Sequence, residues 1–95
     1  MKMSITKPAA KWFIRELNLE EGEAVRFFAR YGGFGGVHKG FSLALDKANP
    51  HNIGAEVTEE GILFFVEDSD LWYFDQMDFH IKYSRKFDEI EYVIE

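Results

Sequence analysis

A chain of 95 residues, 46% hydrophobic and 17% aromatic, has enough apolar material for one packed core without disulfides or bound metals. Its 11 basic and 17 acidic residues give a net charge of -6, which disfavours nucleic acid and anionic membranes as partners. It has no cysteine, which excludes disulfides, thiolate metal sites and cysteine nucleophiles. Apolar runs such as Ile62 to Val66 are too short to span a bilayer, and no apolar signal segment follows Met1, so we expect a small cytoplasmic protein.

The first predicted element is a helix. Apolar side chains recur at three- and four-residue spacing from Lys7 to Leu17, the pattern of a helix with one face on the core. Thr6 can accept a hydrogen bond from the free amides at its start, and Pro8 is tolerated in the first turn. The stretch from Asn18 to Gly22 is expected to end the helix.

Alternation of apolar with polar residues predicts most of the strands that follow. They are expected over residues 25–31, 41–46, 55–58, 62–67, 79–83 and 89–95. A glycine-rich loop, Gly32 to Gly36, separates the first two strands, and Glu59-Glu60-Gly61 is expected to turn a hairpin. The strand over 62–67 is apolar on both faces and should be central in its sheet.

A short helix is expected over 71–75, before the last two strands. Asp68, Ser69 and Asp70 are candidates for its N-cap. Its apolar residues Leu71, Trp72 and Phe74 are expected to dock on the sheet. The whole pattern predicts an α+β fold of mostly antiparallel sheets, arranged as a sandwich, with an N-terminal helix and one short helix.

The order of these elements, with several short motifs, resembles the HesB-like family of A-type iron-sulfur carriers. The motifs are Ile5-Thr6 with Ala9-Ala10, Val25-Arg26 with Gly32-Gly33, Gly40-Phe41-Ser42, and Tyr73-Phe74-Asp75 followed by Phe79. The resemblance implies a single HesB-like domain over residues 1–95, related to iron-sulfur cluster assembly and commonly paired as a homodimer.

The cysteines that hold the cluster in that family are missing from this chain. Aligned from one side of the loop, Phe34 takes the position of the family's loop cysteine, and aligned from the other side His38 does. The C-terminal strand ends at Glu95 without the family's Cys-x-Cys pair. Iron-sulfur clusters need soft sulfur ligands. The resemblance therefore implies a branch that kept the scaffold, lost the ligands and cannot carry a thiolate-ligated cluster.

The glycine-rich loop is the candidate site for a ligand or partner. Its glycines permit positive φ and close backbone approach, while Phe34 must either fold back on the core or meet a partner. The candidate binding residues are Gly33, Phe34, Gly35, His38 and Lys39. No Gly-Lys-Ser/Thr follows, so the loop is not a phosphate-binding motif. Arg26 and Arg30 are expected to pair with acids, with an anionic ligand as the alternative.

Our first functional hypothesis is a non-catalytic binding or interaction module with no catalytic residue, cofactor or metal. It would form a homodimer or dock another protein through residues 32–40, with no nucleic acid or membrane partner. The alternative is a metal-handling protein using His38 and His80 with the carboxylates of Asp75 or Asp78. A third hypothesis is a small enzyme that uses the acids of residues 68–78.

Overall fold

The computed structural model describes residues 1–33 and 37–95. In chain order the elements are β1 (Met3–Ile5), α1 (Lys7–Leu17), β2 (Ala24–Tyr31), β3 (Phe41–Lys47), β4 (Ile53–Glu59), β5 (Ile62–Glu67), a 3-10 helix (Asp68–Phe74), β6 (Phe79–Ser84) and β7 (Glu89–Ile94). The strands predicted from alternation are therefore present, and no bound moves by more than two residues.

The described strands form a four-stranded sheet in the order β3-β2-β5-β4 and a three-stranded sheet in the order β1-β6-β7. Neighbouring strands run antiparallel except for the parallel pairs β2–β5 and β1–β6. The predicted α+β class with mostly antiparallel sheets, an N-terminal helix and one short helix is confirmed. β5 lies between β2 and β4, as its two apolar faces predict.

β1 is an element that the sequence pattern does not reveal. Its three residues are too few for an alternation to be recognised, although Met3 and Ile5 are both buried. The strand pairs in parallel with β6, and the Thr6 amide continues this pairing by donating to the Ile81 carbonyl at 3.0 Å. β1 therefore fixes the start of α1 against the three-stranded sheet.

α1 begins and ends as its sequence predicts. The Thr6 hydroxyl accepts a hydrogen bond from the Ala9 amide at 3.3 Å, and Asn18 ends the helix in the left-handed conformation. The helix buries Phe13, whose ring lies 5.9 Å from that of Phe27 and 5.6 Å from that of Phe64. These contacts pack α1 against β2 and β5.

The two sheets also meet through aromatic rings. The ring of Phe27 on β2 lies edge-on to that of Phe79 on β6, with the centroids 5.4 Å apart. Both side chains are fully buried. The contact joins the four-stranded and three-stranded sheets face to face, as expected for a sandwich.

The short helix has 3-10 geometry and begins at Asp68, so the N-cap interpretation of Asp68-Ser69-Asp70 is wrong. These residues form the first turn, and Glu67 occupies the N-cap position without making a capping hydrogen bond. The Glu67 carboxylate instead accepts hydrogen bonds from the amides of His51 and Asn52, both at 2.9 Å. Since Glu67 is only 6% exposed, it holds the 48–52 loop against the end of β5.

Glu67 should make the fold less stable at acidic pH. The two amides favour the charged carboxylate and hold the pKa of Glu67 below its usual value of 4.5. Its contribution to the free energy of unfolding is therefore complete above pH 4.5 and is lost as the pH falls through the folded-state pKa.

We predict that the variant Glu67→Gln, which cannot titrate, loses less stability on acidification below pH 4.5 than the wild type does. Denaturant unfolding at a series of pH values measures both slopes. Parallel stability curves for the two proteins would contradict this assignment.

Candidate functional site

The glycine-rich loop joins β2 to β3 and is closed at its base. The Gly32 amide donates to the Gly40 carbonyl at 2.6 Å, and the Phe41 amide donates to the His38 carbonyl at 3.2 Å. Three of the candidate residues, Gly33, His38 and Lys39, are described in this loop, and Phe34 and Gly35 lie outside the described residues. The loop begins where Tyr31 and Phe41 face each other as the last cross-strand pair.

Gly33 is required by two features of the loop. Its φ of +84° lies in the left-handed region that side chains disfavour, and a Cβ there would lie 2.7 Å from the Ser42 Oγ. Gly32 also has a positive φ, of +100°, but a Cβ there would meet open space. Substituting each glycine in turn therefore separates the free-energy cost of the positive φ from the cost of a close contact with β3.

His38 connects the loop to the 3-10 helix. Its Nε2 lies 3.3 Å from Asp75 Oδ1. The contact is an ion pair when the imidazole is protonated, but it does not have the geometry of a hydrogen bond. The His38 ring also lies 5.2 Å from the ring of Trp72 and 6.0 Å from that of Tyr73. The loop therefore contacts the 3-10 helix through the His38–Asp75 pair and through packing of the His38 ring.

Asp75 ends the 3-10 helix in an unusual backbone conformation. Asp75 and Gln76 have φ angles of 50° and 64°, in the left-handed region that few residues other than glycine adopt. Such conformations cost on the order of 1 kcal/mol each and cluster at functional sites, where the surrounding structure imposes them. The strained turn places the Asp75 carboxylate beside His38.

A row of rings runs across this end of the molecule, and we call Tyr31, Phe41, Trp72 and His38 the aromatic strip; the first and third are exposed and the other two are half-buried. Tyr31 meets Phe41 edge-on at 5.6 Å, and Phe41 meets Trp72 edge-on at 5.1 Å. Tyr31 is 84% exposed and Trp72 is 48% exposed. Large aromatic side chains held in fixed geometry at the surface are typical of protein-binding sites.

The sequence pattern misassigned the residues of the short helix. Trp72 was expected to dock on the sheet, but it is exposed, and its neighbour Tyr73 is fully buried. A 3-10 helix has three residues per turn, so every third side chain shares a face. Ser69, Trp72 and Asp75 form the exposed face, and Asp70 and Tyr73 form a buried one. The exposure of Trp72 follows from the 3-10 geometry of this helix, which the sequence pattern did not predict.

Arg26 on β2 forms an ion pair with an acidic residue, as expected from the sequence. Its guanidinium lies 2.7 Å from Asp70 Oδ2 and 5.0 Å from the centre of the Phe28 ring. Asp70 is 8% exposed, so the pair fixes the 3-10 helix to β2. The Tyr73 hydroxyl, also buried here, has no hydrogen-bond partner among the described residues.

The described residues do not assemble the metal site of our alternative hypothesis. His80 Nδ1 lies 2.6 Å from the Ser4 Oγ, and Asp78 accepts a hydrogen bond from the Lys2 amide at 2.8 Å. His38 and His80 therefore have separate partners. Within residues 1–33 and 37–95, no three His, Cys, Asp or Glu side chains are grouped to hold a metal ion.

A small open pocket lies away from the acids of residues 68–78. It is lined by Glu23, Ala24, Lys47, Ala48 and Asn49. Glu23 and Lys47 already form an ion pair at 3.1 Å within it. Its position gives no support to an enzyme built on the acids of the 3-10 helix.

None of the helices in the described part of the chain is long and apolar enough to cross a membrane.

Comparison with known proteins shows which family the chain belongs to. It is 49% identical over 89 residues, or 94% of each chain, to a Bacillus subtilis (strain 168) protein named pyruvate dehydrogenase inhibitor. It is also 38% identical to an uncharacterised protein of Staphylococcus saprophyticus, over 97% of both chains. The chain belongs to the family of the Bacillus pyruvate dehydrogenase inhibitor. A third member, from Staphylococcus haemolyticus, is 35% identical over 97% of this chain and 96% of its own.

The HesB-like resemblance, with its link to iron-sulfur cluster assembly, is wrong. The relatives point to the pyruvate dehydrogenase inhibitor family, and no protein-family profile matches the chain. Two of the motifs that carried the resemblance have local structural causes. Thr6 caps α1, and Gly40 has a φ of +84° where the loop closes before β3. Short motifs of this kind arise wherever a fold needs a cap or a tight turn.

We predict that Gly33→Ala destabilises the protein more than Gly32→Ala. Both variants force alanine into a positive φ, at about 1 kcal/mol each, but only the first also places a methyl group against Ser42. Denaturant unfolding of the two variants measures the difference. Equal losses would show that the contact with β3 does not constrain the loop.

Proposed function

We propose that this protein is a non-catalytic regulator that binds another protein through the aromatic strip. The observation that carries the proposal is the 84% exposure of Tyr31 and the 48% exposure of Trp72, both held edge-on to Phe41. Ordered aromatic side chains lose little conformational entropy on binding and contribute much of the affinity at protein interfaces.

The partner that we propose is pyruvate dehydrogenase, with lower enzyme activity when this protein is bound. The name of the Bacillus subtilis relative, which is 49% identical, supports this choice. An inhibitor that acts by binding needs a complementary surface and no catalytic residues of its own. The exposed strip at the β2–β3 end meets that requirement.

In this proposal, the loop residues named from the sequence either position the loop or contact the partner. Gly33 keeps the loop close to β3, while His38 contacts Trp72 and Asp75 and so holds the loop beside the strip. Lys39 is exposed and contacts the partner directly. Phe34 and Gly35 keep their predicted role as contact residues of the same loop. A homodimer through the strip is the competing use of the same surface.

We predict that Tyr31→Ala and Trp72→Ala each weaken binding to purified pyruvate dehydrogenase by about tenfold or more, as expected for central aromatic residues. Titration calorimetry measures the affinity, and enzyme assays with each variant measure inhibition. Circular dichroism checks that both variants remain folded, and light scattering measures self-association.

Phe87→Ala is the matched control, because Phe87 is also an exposed aromatic residue, at 63%, but lies on the turn between β6 and β7. It should bind and inhibit like the wild type. If the wild type neither binds nor inhibits, pyruvate dehydrogenase is not the partner. If all three variants bind equally well, the aromatic strip is not the binding surface.

A further inference from the structure

Charge is distributed very unevenly along this acidic chain. Residues 24–45 contain Arg26, Arg30 and Lys39 but none of the 17 acidic residues. This segment includes β2, the glycine-rich loop and most of β3, and so it supplies three of the four residues of the aromatic strip. The surface that we assign to partner binding therefore lies largely in the longest acid-free stretch of a protein with net charge -6, the next longest being residues 1–15.

Two of the three cations in this segment have no ion-pair partner among the described residues. Arg26 is neutralised by Asp70, but no carboxylate lies within ion-pair distance of Arg30 or Lys39 in residues 1–33 and 37–95. Residues 34–36 are Phe-Gly-Gly and have no carboxylate to offer. Arg30 and Lys39 are also exposed.

The Asp75 carboxylate lies beside the strip. Asp75 lies 3.3 Å from His38 and is positioned by its strained turn. The strip therefore has two exposed cations next to its residues in the chain: Arg30 directly precedes Tyr31 on β2, and Lys39 directly follows His38 in the loop. A surface of this kind complements a partner patch in which carboxylates surround apolar side chains.

We propose that the strip docks on an acidic patch of the partner protein, with Arg30 and Lys39 placed against its carboxylates. This inference rests on the proposed function, because it names the chemistry of the surface that the strip recognises. The aromatic residues supply affinity, whereas exposed charges at the margin mainly raise the association rate. Repulsion between the remaining acidic surface and an acidic partner would restrict docking to this end of the molecule.

Charge reversal provides the test, with pyruvate dehydrogenase as the probe. We expect Arg30→Glu and Lys39→Glu each to lower the association rate about fivefold or more at low ionic strength. The difference should shrink in about 1 M salt, where the Debye length falls to about 3 Å. Lys82→Glu is the control, because Lys82 is exposed on β6 in the other sheet and should leave the rate near that of the wild type.

The outcomes separate this inference from the proposal on which it rests. If Tyr31→Ala loses binding while Arg30→Glu and Lys39→Glu bind at the wild-type rate without salt dependence, the acidic patch is wrong and the strip remains the binding surface. If the wild type does not bind at all, both proposals are wrong.

Discussion

Phe27 lies where the helix and the two sheets meet, and its ring contacts link β2 to α1, β5, β6 and β7. Its ring is edge-on to those of Phe13 on α1 and Phe79 on β6, and it also contacts Phe64 on β5. Removing a fully buried ring of this kind from a core costs about 3–5 kcal/mol, a large part of the stability of a domain this size. Because β2 is anchored at Phe27, its last residue, Tyr31, extends beyond the core and leaves its side chain in solvent. The binding surface that we propose is thus the exposed continuation of the strand at the centre of the fold.

The 3-10 helix supplies the other half of that surface, and its geometry decides what it presents. The Arg26–Asp70 ion pair and the buried ring of Tyr73 fix one face of the helix, which turns Trp72 outward to meet Phe41. His38 then reaches from the loop to Trp72 and Asp75, so that two segments distant in sequence form one surface. The part-buried Arg26–Asp70 pair and the buried ring of Tyr73 hold the 3-10 helix, and with it the exposed ring of Trp72, in place, which limits the entropy lost on binding.

The sequence was sufficient for the fold class but not for the composition of the site. The period of α1, its cap at Thr6 and the two apolar faces of β5 each depend on local pattern, and the structure agrees with them. Three-residue β1 is too short to show a period, and the 3-10 geometry that exposes Trp72 depends on tertiary contacts of Asp70 and Tyr73. The glycine-rich loop, named from the sequence as the candidate site, lies at the same end of the molecule as the strip. The rings at the end of β2 and on the 3-10 helix were missed, because Tyr31 alternates with core residues and so appears to point inward. Family membership was misjudged for a related reason, since at least two of the motifs that resembled the HesB-like proteins are a helix cap and a tight turn.

The central claim is that this protein acts by binding another protein at the β2–β3 end and performs no chemistry of its own. Amide hydrogen exchange, measured with and without pyruvate dehydrogenase, locates the contact surface without any substitution. The account predicts that binding protects amides of residues 37–43 and 71–75 and leaves the turn between β6 and β7, residues 85–88, unchanged. Protection confined to that turn, or no change anywhere in the chain under conditions where the enzyme is inhibited, would contradict it.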